Sequence, residues 1–325
     1  MAKRKSTAKK KPRRKSSKNK LFKSSFVKAF GGLAILIVMV AVAGLLAHFL
    51  IPTEKPSKTD RPSKAVPQTK KPLAKIPPFE IYPPKEIPLE KPPIKKPPKD
   101  SKQLPLVAII FDDLGYDKKF AKKLSQLNGG ITFSILPHSP YRESIARLAH
   151  KNGLDTMLHL PMEPFEYPQI NPGPGTLLTT MTPDQLIRQL EKNLASVPHI
   201  KGVNNHMGSK MTAESGQMYQ IFSILKKRNL YFIDSRTTSK TLCKPSARLF
   251  QIPFAQRDVF LDHFQEPSFI RKQIKELIRI AQRHGQAVGI GHPHTVTYEI
   301  LREMMPELQK KVKLVPASEI VHIVG

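Results

Sequence analysis

The sequence predicts an α/β fold: a closed or partly closed barrel of seven or eight mostly parallel strands, preceded by one transmembrane helix and a Pro-rich linker. Three observations predict it. Short apolar runs alternate with amphipathic stretches from residue 105 to 325, the pattern of repeated β–α units with right-handed crossovers. His and Asp residues fall at or just past the ends of those runs. Residues 29–51 form an uncharged apolar segment of 23 residues, where about 20 suffice to cross a bilayer as a helix.

The N-terminal 28 residues carry 13 Lys/Arg and no acid. A basic flank ahead of an apolar span orients the N-terminus to the cytoplasm. The leader is too long and the apolar run too extended for an ordinary cleaved signal peptide, so residues 29–51 are expected to remain as an anchor. KPRRKSSKNK (11–20) then reads as a topogenic, lipid-attracting tail, and no nucleic-acid partner is expected. Residues 52–104 hold 14 prolines among Lys and Glu and cannot bury a core. Fully extended at about 3.1 Å per residue, such a spacer reaches on the order of 160 Å. The formal net charge is +29, and only +9 of it lies in 105–325, so the basic character belongs mostly to the tails. Cys243 is the only cysteine, which excludes an intramolecular disulfide and leaves His, Asp and Glu to make any metal site.

Candidate strands are 106–111, 131–136, 155–159, 201–205, 230–234, 249–254, 287–291 and 313–315. Candidate helices are 117–127, 141–152, 183–196, 214–228, 268–284 and 297–309. Thr182-Pro183 supplies a cap residue followed by Pro at the first turn, and Gly285 closes the helix that begins after Pro267. A doubly wound open sheet is the alternative arrangement of the same units.

In a parallel barrel all strand C-termini point one way, so residues placed there converge on one face. LVAIIF runs into Asp112-Asp113, DTML into His159, KGV into Asn204-Asn205-His206, LYFI into Asp234 and AVGI into Gly291-His292. Convergent carboxylates and imidazoles suit a zinc-type metal and acid–base chemistry, which points to a hydrolase. Adjacent Asp112 and Asp113 read as a metal ligand beside a general base, or as a helix cap beside a solvated Asp. His159 and His206 read as further metal ligands. Glu163 reads as a ligand, a partner orienting a His, or a turn residue, and Pro161 keeps it off a helical face shared with His159. Asp234 either orients a catalytic group or pairs with Arg236. His292 reads as the general acid, with His294 peripheral and Asp258 and Asp262 secondary. Asn204, Asn205 and Gly208 are explained by turn chemistry.

IIFDDLG (109–115), HLPMEP (159–164), GVNNHMGS (202–209), DSRTT (234–238) and GIGHP (289–293) together resemble the divergent polysaccharide deacetylases, in the family's order and over most of 105–325. The resemblance implies a deformed (β/α) barrel and a divalent metal, zinc or similar, held by an Asp and two imidazoles. It implies Asp112 as base, Asp113 and His159 as metal ligands and His292 as general acid. The family's HxxxH element has Glu163 at its second His, and NNHMGS replaces an Arg-containing motif. His206 is therefore the candidate for the missing imidazole. The implied reaction is metal-assisted amide hydrolysis on an N-acetylated glycan such as peptidoglycan, with Asp234 among the catalytic groups. The expected location is the inner membrane of a two-membrane bacterium, with the domain 105–325 in the periplasm. The alternatives are a retired barrel acting as a glycan-binding or scaffold protein, and a phosphoesterase using the same kind of metal site.

Overall fold

The computed structural model describes residues 103–127 and 129–325. The predicted basic tail, the membrane span 29–51 and nearly all of the linker lie outside the described residues. Among the described residues no helix is long and apolar enough to cross a membrane.

Among the described residues ten strands form one sheet: β1 (Leu106–Leu114), β2 (Thr132–Ile135), β3 (Thr156–Met162), β4 (Ile200–Met207), β5 (Tyr231–Asp234), β6 (Pro253–Gln256), β7 (Val259–Phe260), β8 (Gln286–Gly291), β9 (Lys313–Leu314) and β10 (His322–Ile323). Among the described residues seven α-helices cover it: α1 (Lys118–Leu124), α2 (Arg142–Lys151), α3 (Pro183–Ser196), α4 (Ser215–Lys227), α5 (Cys243–Phe250), α6 (Pro267–His284) and α7 (Thr295–Lys311). The strand order is β10-β6-β5-β4-β3-β2-β1-β8-β7, with β9 also on β1. Every pairing is parallel except β10 with β6. The sheet curls as a half-barrel, with β10 and β7 as its two edges.

Period-two alternation divides each strand between two apolar layers. Val107, Ile109 and Phe111 of β1, Leu158 and Leu160 of β3 and Phe232 of β5 join the larger layer that packs under the helices. Ala108 and Ile110 of β1, Met157 of β3, Tyr231 and Ile233 of β5 and Val288 and Ile290 of β8 form a smaller layer inside the curl. Continuing that second phase beyond the apolar run places Asp112, His159, Ser235 and His292 over the mouth of the curl. The inner layer thus forms the floor of the site and the strand C-termini form its rim.

The helices start and stop where local chemistry dictates. Thr182 caps α3 through a reciprocal capping box with Gln185. Asp117 caps α1 by accepting from the backbone N–H groups of Lys119 and Phe120 at 2.7 and 3.0 Å. Gly285 ends α6 at φ +85°, a left-handed conformation that glycine adopts without a Cβ penalty. One predicted strand is corrected: Leu249 and Phe250 of the expected 249–254 run are the last turn of α5, which ends at Gln251 with φ +51°. The strand begins only at Pro253. A short apolar run does not distinguish a strand from a helix end by periodicity. The two-residue strands β7 and β10 were too short to leave a periodic signal.

Candidate metal centre and acid–base pair

The backbone brings two adjacent carboxylates to one face. Alternation alone would turn Asp113 away from Asp112. Asp113 instead takes φ +56°, and the β1–β2 register shifts between Phe111 and Leu114. Asp is among the few residues that tolerate this left-handed region. Met207 and Arg236 adopt φ +54° at the ends of β4 and β5. Backbone departures of this kind cluster where a strand end must aim a side chain.

Asp113, His159 and His206 are buried, and one donor atom from each lies within 4.8 Å of the others. Asp113 Oδ1 is 3.1 Å from His159 Nε2 and 3.0 Å from His206 Nδ1, and the two ring nitrogens are 3.1 Å apart. Asp113 Oδ1 nevertheless makes no well-directed hydrogen bond. Three donors thus converge on one point with a buried carboxylate oxygen left unsatisfied. Ligand atoms about 2.0–2.1 Å from a tetrahedral zinc would lie roughly 3.3–3.4 Å apart, so a small expansion of this triangle fits such an ion. One carboxylate and two imidazoles are a donor set for zinc or a similar divalent metal.

Burial alone would raise the carboxyl pKa of Asp113, but His206 and His159 hold it well below the usual range. Burial works against protonation of His159, and Asp112 and Asp113 more than offset it, so its pKa is raised.

Asn204 organises this cluster. Its Oδ1 accepts from Ser134 Oγ at 2.7 Å and from His159 Nδ1 at 2.9 Å, while its Nδ2 donates to Asp112 Oδ1 and Oδ2 at 2.8 and 3.0 Å. A carboxylate only accepts, so the amide nitrogen must face Asp112 and the amide oxygen must face the ring. That places the His159 proton on Nδ1 and directs the Nε2 lone pair to the triangle. Asn205 anchors the loop after β5, accepting from Ser235 N at 2.9 Å. Both Asn side chains were assigned to turn chemistry in the sequence. Asn204 lies two residues before His206, in phase with it, and that spacing was the signal available for its role.

Across the cleft, His292 Nδ1 lies 2.8 Å from Asp262 Oδ1, and the His292 backbone N–H donates to Asp262 Oδ2 at 2.6 Å. Thr297 Oγ1 donates to the same oxygen at 2.8 Å. Burial disfavours the charged ring, but Asp262 outweighs it, and the His292 pKa is pushed up to about 9. Burial would raise the Asp262 carboxyl, whereas the His292 charge and hydrogen bonds lower it. Asp262, secondary in the sequence reading, is thus the partner that holds His292. His294, expected to be peripheral, lines the cleft and meets Gln265 at 3.2 Å.

Two sequence expectations place differently. Asp234 does not line the cleft. Phe232 packs in the outer layer, so Asp234 shares its phase and Ser235 takes the inward position. Asp234 accepts from Arg236 N at 2.8 Å and Thr241 Oγ1 at 2.9 Å, and burial raises its carboxyl pKa. It ties a loop rather than touching the reacting face. Glu163 is bonded to Lys210 Nζ at 2.7 Å and to Thr179 N. Its own carbonyl accepts from Lys210 N and Met211 N at 3.2 and 3.0 Å. Glu163 therefore fixes the segment after β4 and stands outside the triangle; it is the turn residue among its three readings.

Asp112, Asp113, His159, His206, Asp262, His292 and His294 all line one cleft that is open to solvent. The chain is 34% identical over 216 residues to the uncharacterized protein YibQ of Escherichia coli (strain K12), covering 66% of this chain and 67% of that protein. It is 31% identical over 209 residues to an uncharacterized protein of Haemophilus influenzae, covering 64% of this chain and 74% of that one. The crystal structure of an uncharacterized protein, ATU2773 from Agrobacterium tumefaciens C58, matches with a TM-score of 0.65 and 26% identity over 70% of this chain and 93% of that chain. The family model for divergent polysaccharide deacetylases matches residues 109–321, a span that runs from β1 to the last residue before β10 and contains every cleft residue named above. On these grounds the chain belongs to the divergent polysaccharide deacetylase family.

Proposed function

We propose that the chain is a metal-dependent amide hydrolase that removes N-acetyl groups from a cell-envelope polysaccharide, peptidoglycan being the candidate substrate. The observation that carries the reading is the buried Asp113–His159–His206 triangle facing an oriented carboxylate on one side and a charged imidazole on the other. Asp113, His159 and His206 would hold a divalent ion. When bound, such an ion polarises an acyl carbonyl and makes water acidic enough to be deprotonated near neutral pH.

The remaining steps belong to the chain's own groups. Asp112, fixed by two contacts from the Asn204 amide, accepts the proton of the attacking water. His292, held protonated by Asp262, gives its Nδ1-anchored ring's other proton to the departing amine nitrogen. That nitrogen must gain a proton before the C–N bond breaks, because a free amide anion is too basic to leave. The products are acetate and a glucosamine-type amine. Asp262 keeps the ring aimed and charged, and Asn204 keeps both Asp112 and His159 in register.

The proposed setting is the periplasmic face of the inner membrane, with residues 29–51 as the anchor and 52–104 as the spacer. The reading is tested by acetate release from purified peptidoglycan and from acetylated glucosamine oligomers, with zinc content measured in parallel. The expected result is one tightly held ion per chain and acetate release, both lost in Asp113→Ala. Release undiminished in an ion-free Asp113→Ala chain would overturn it.

A further inference from the structure

We propose that the cleft contains a second, inhibitory cation site formed by Asp262, His292 and His294. Each offers one donor atom, and the three lie within 4.8 Å of one another. Asp262 is buried, and the two imidazoles are half-buried on the wall of the same cleft as the Asp113 cluster. The donor set is again one carboxylate and two imidazoles, suited to zinc and neighbouring divalent ions.

This site is built before any ion arrives. Asp262 receives the His292 backbone N–H at 2.6 Å and the Thr297 hydroxyl at 2.8 Å, so its carboxylate cannot swing away. His294 N donates to His292 O at 2.8 Å, which folds the His292-Pro293-His294 segment back on itself and keeps both rings on the cleft side.

The two sites differ in what an ion must displace. In the Asp113 cluster the carboxylate oxygen makes no well-directed hydrogen bond, so an ion enters a gap in the bonding. In the Asp262 cluster an ion competes with a bond already made, between His292 Nδ1 and Asp262 Oδ1 at 2.8 Å. With three buried donors and an unsatisfied carboxylate oxygen, the Asp113 cluster fills first, and the Asp262 cluster, half-exposed and already bonded, fills at higher ion concentration. An ion on Asp262, His292 and His294 takes away the charged imidazole that protonates the leaving amine. Excess divalent ion therefore shuts off the reaction that the first ion supports. The inhibitory consequence rests on the hydrolase reading; the second ion does not.

The test is a zinc titration of the full-length chain by equilibrium dialysis, with acetate release followed at each concentration. Two equivalents are expected, the second weaker than the first. His294→Ala and the conservative His294→Gln are expected to lose the second equivalent and keep the first, while His206→Ala loses the first. The wild-type zinc–activity curve should rise and then fall, and the falling limb should vanish in both His294 variants. A single equivalent up to millimolar zinc, or a second one untouched in both His294 variants, overturns the site. A falling limb that persists in them overturns its inhibitory role. If no acetate appears at any zinc concentration the hydrolase reading fails, and the stoichiometries still decide whether the second site exists.

Discussion

Asn204→Ala is the most informative single change. Asn204 is fully buried and joins four side chains from four strands or strand ends: Ser134, His159, Asp112 and Ser235. Truncation strands the Ser134 hydroxyl and the His159 Nδ1–H without acceptors. Each stranded buried group costs about 1–3 kcal/mol, so stability should fall by roughly 2–6 kcal/mol. A domain of ordinary stability, about 5–15 kcal/mol, survives the lower part of that range. Among the molecules that remain folded, the His159 ring loses the acceptor that fixes its tautomer, and Asp112 loses its aim. Loss of such an orienting partner typically weakens metal binding or activity about 10–100-fold, or roughly 1.4–2.7 kcal/mol. The assay is competition for zinc against a chromophoric chelator, at a temperature where circular dichroism shows both proteins folded. Zinc affinity within threefold of wild type in the folded variant would refute the orienting role.

Other outcomes follow from the same geometry. Glu163→Gln should keep zinc stoichiometry at the wild-type value while lowering Tm, because Glu163 is spent on Lys210 and Thr179 rather than on the triangle; loss of the ion would return Glu163 to the ligand set. Asp262→Asn should let the His292 pKa fall from about 9 toward its ordinary 6.5, moving the alkaline limb of kcat/KM to lower pH by up to roughly 2.5 units, since the proton donor must be charged to act; an unmoved limb would show that another group sets it. The raised His292 pKa also stabilises the fold fully below about pH 6.5 and loses that contribution as pH rises through about 9, which urea unfolding at pH 6 and pH 10 in wild type and Asp262→Asn should resolve. Zinc at 1,000 times its Kd should stabilise the chain by about 4 kcal/mol and raise Tm on the order of 10 °C, and a chelator should reverse the shift. Gly208→Ala should cost about 1–3 kcal/mol, because φ is +89° and the added Cβ would meet Met162 Cβ at 2.7 Å.

The parallel order of units and the face on which polar residues gather were legible because strand ends were marked by a change from apolar to ionisable residues. Asp112, His159 and His292 could be placed on that face from the sequence, each in phase with an inward-facing apolar residue two positions earlier, and His206 follows the same strand-end pattern behind Asn204. Asp234 carried the same local signature, but one residue of phase sends it to the other side of β5, and phase depends on where alternation starts. Asp113 is the opposite case: its phase is wrong and a left-handed backbone corrects it, a conformation no apolar pattern encodes. Asn204 and Asp262 act through other side chains rather than at the reacting face. Their roles depend on distances between strands remote in sequence, which a single chain read along its length does not contain. The α5 boundary was lost because LFQIPF is equally apolar as helix end or strand.

The Asp112–Asn204 contact joins residues 92 positions apart, and the cluster around it draws on β1, β3 and β4 with β2 between them. β2 contributes only Ser134 there, a side chain small enough to leave room. No two-strand fragment contains the donor set. Nascent chain emerging from synthesis therefore has no high-affinity place for an ion until four consecutive strands have zipped together, and long-range parallel pairing is slow. On the proposed function, ion capture would follow the pairing of β1 to β4 and report it, and chains that stall before it would lack this donor set.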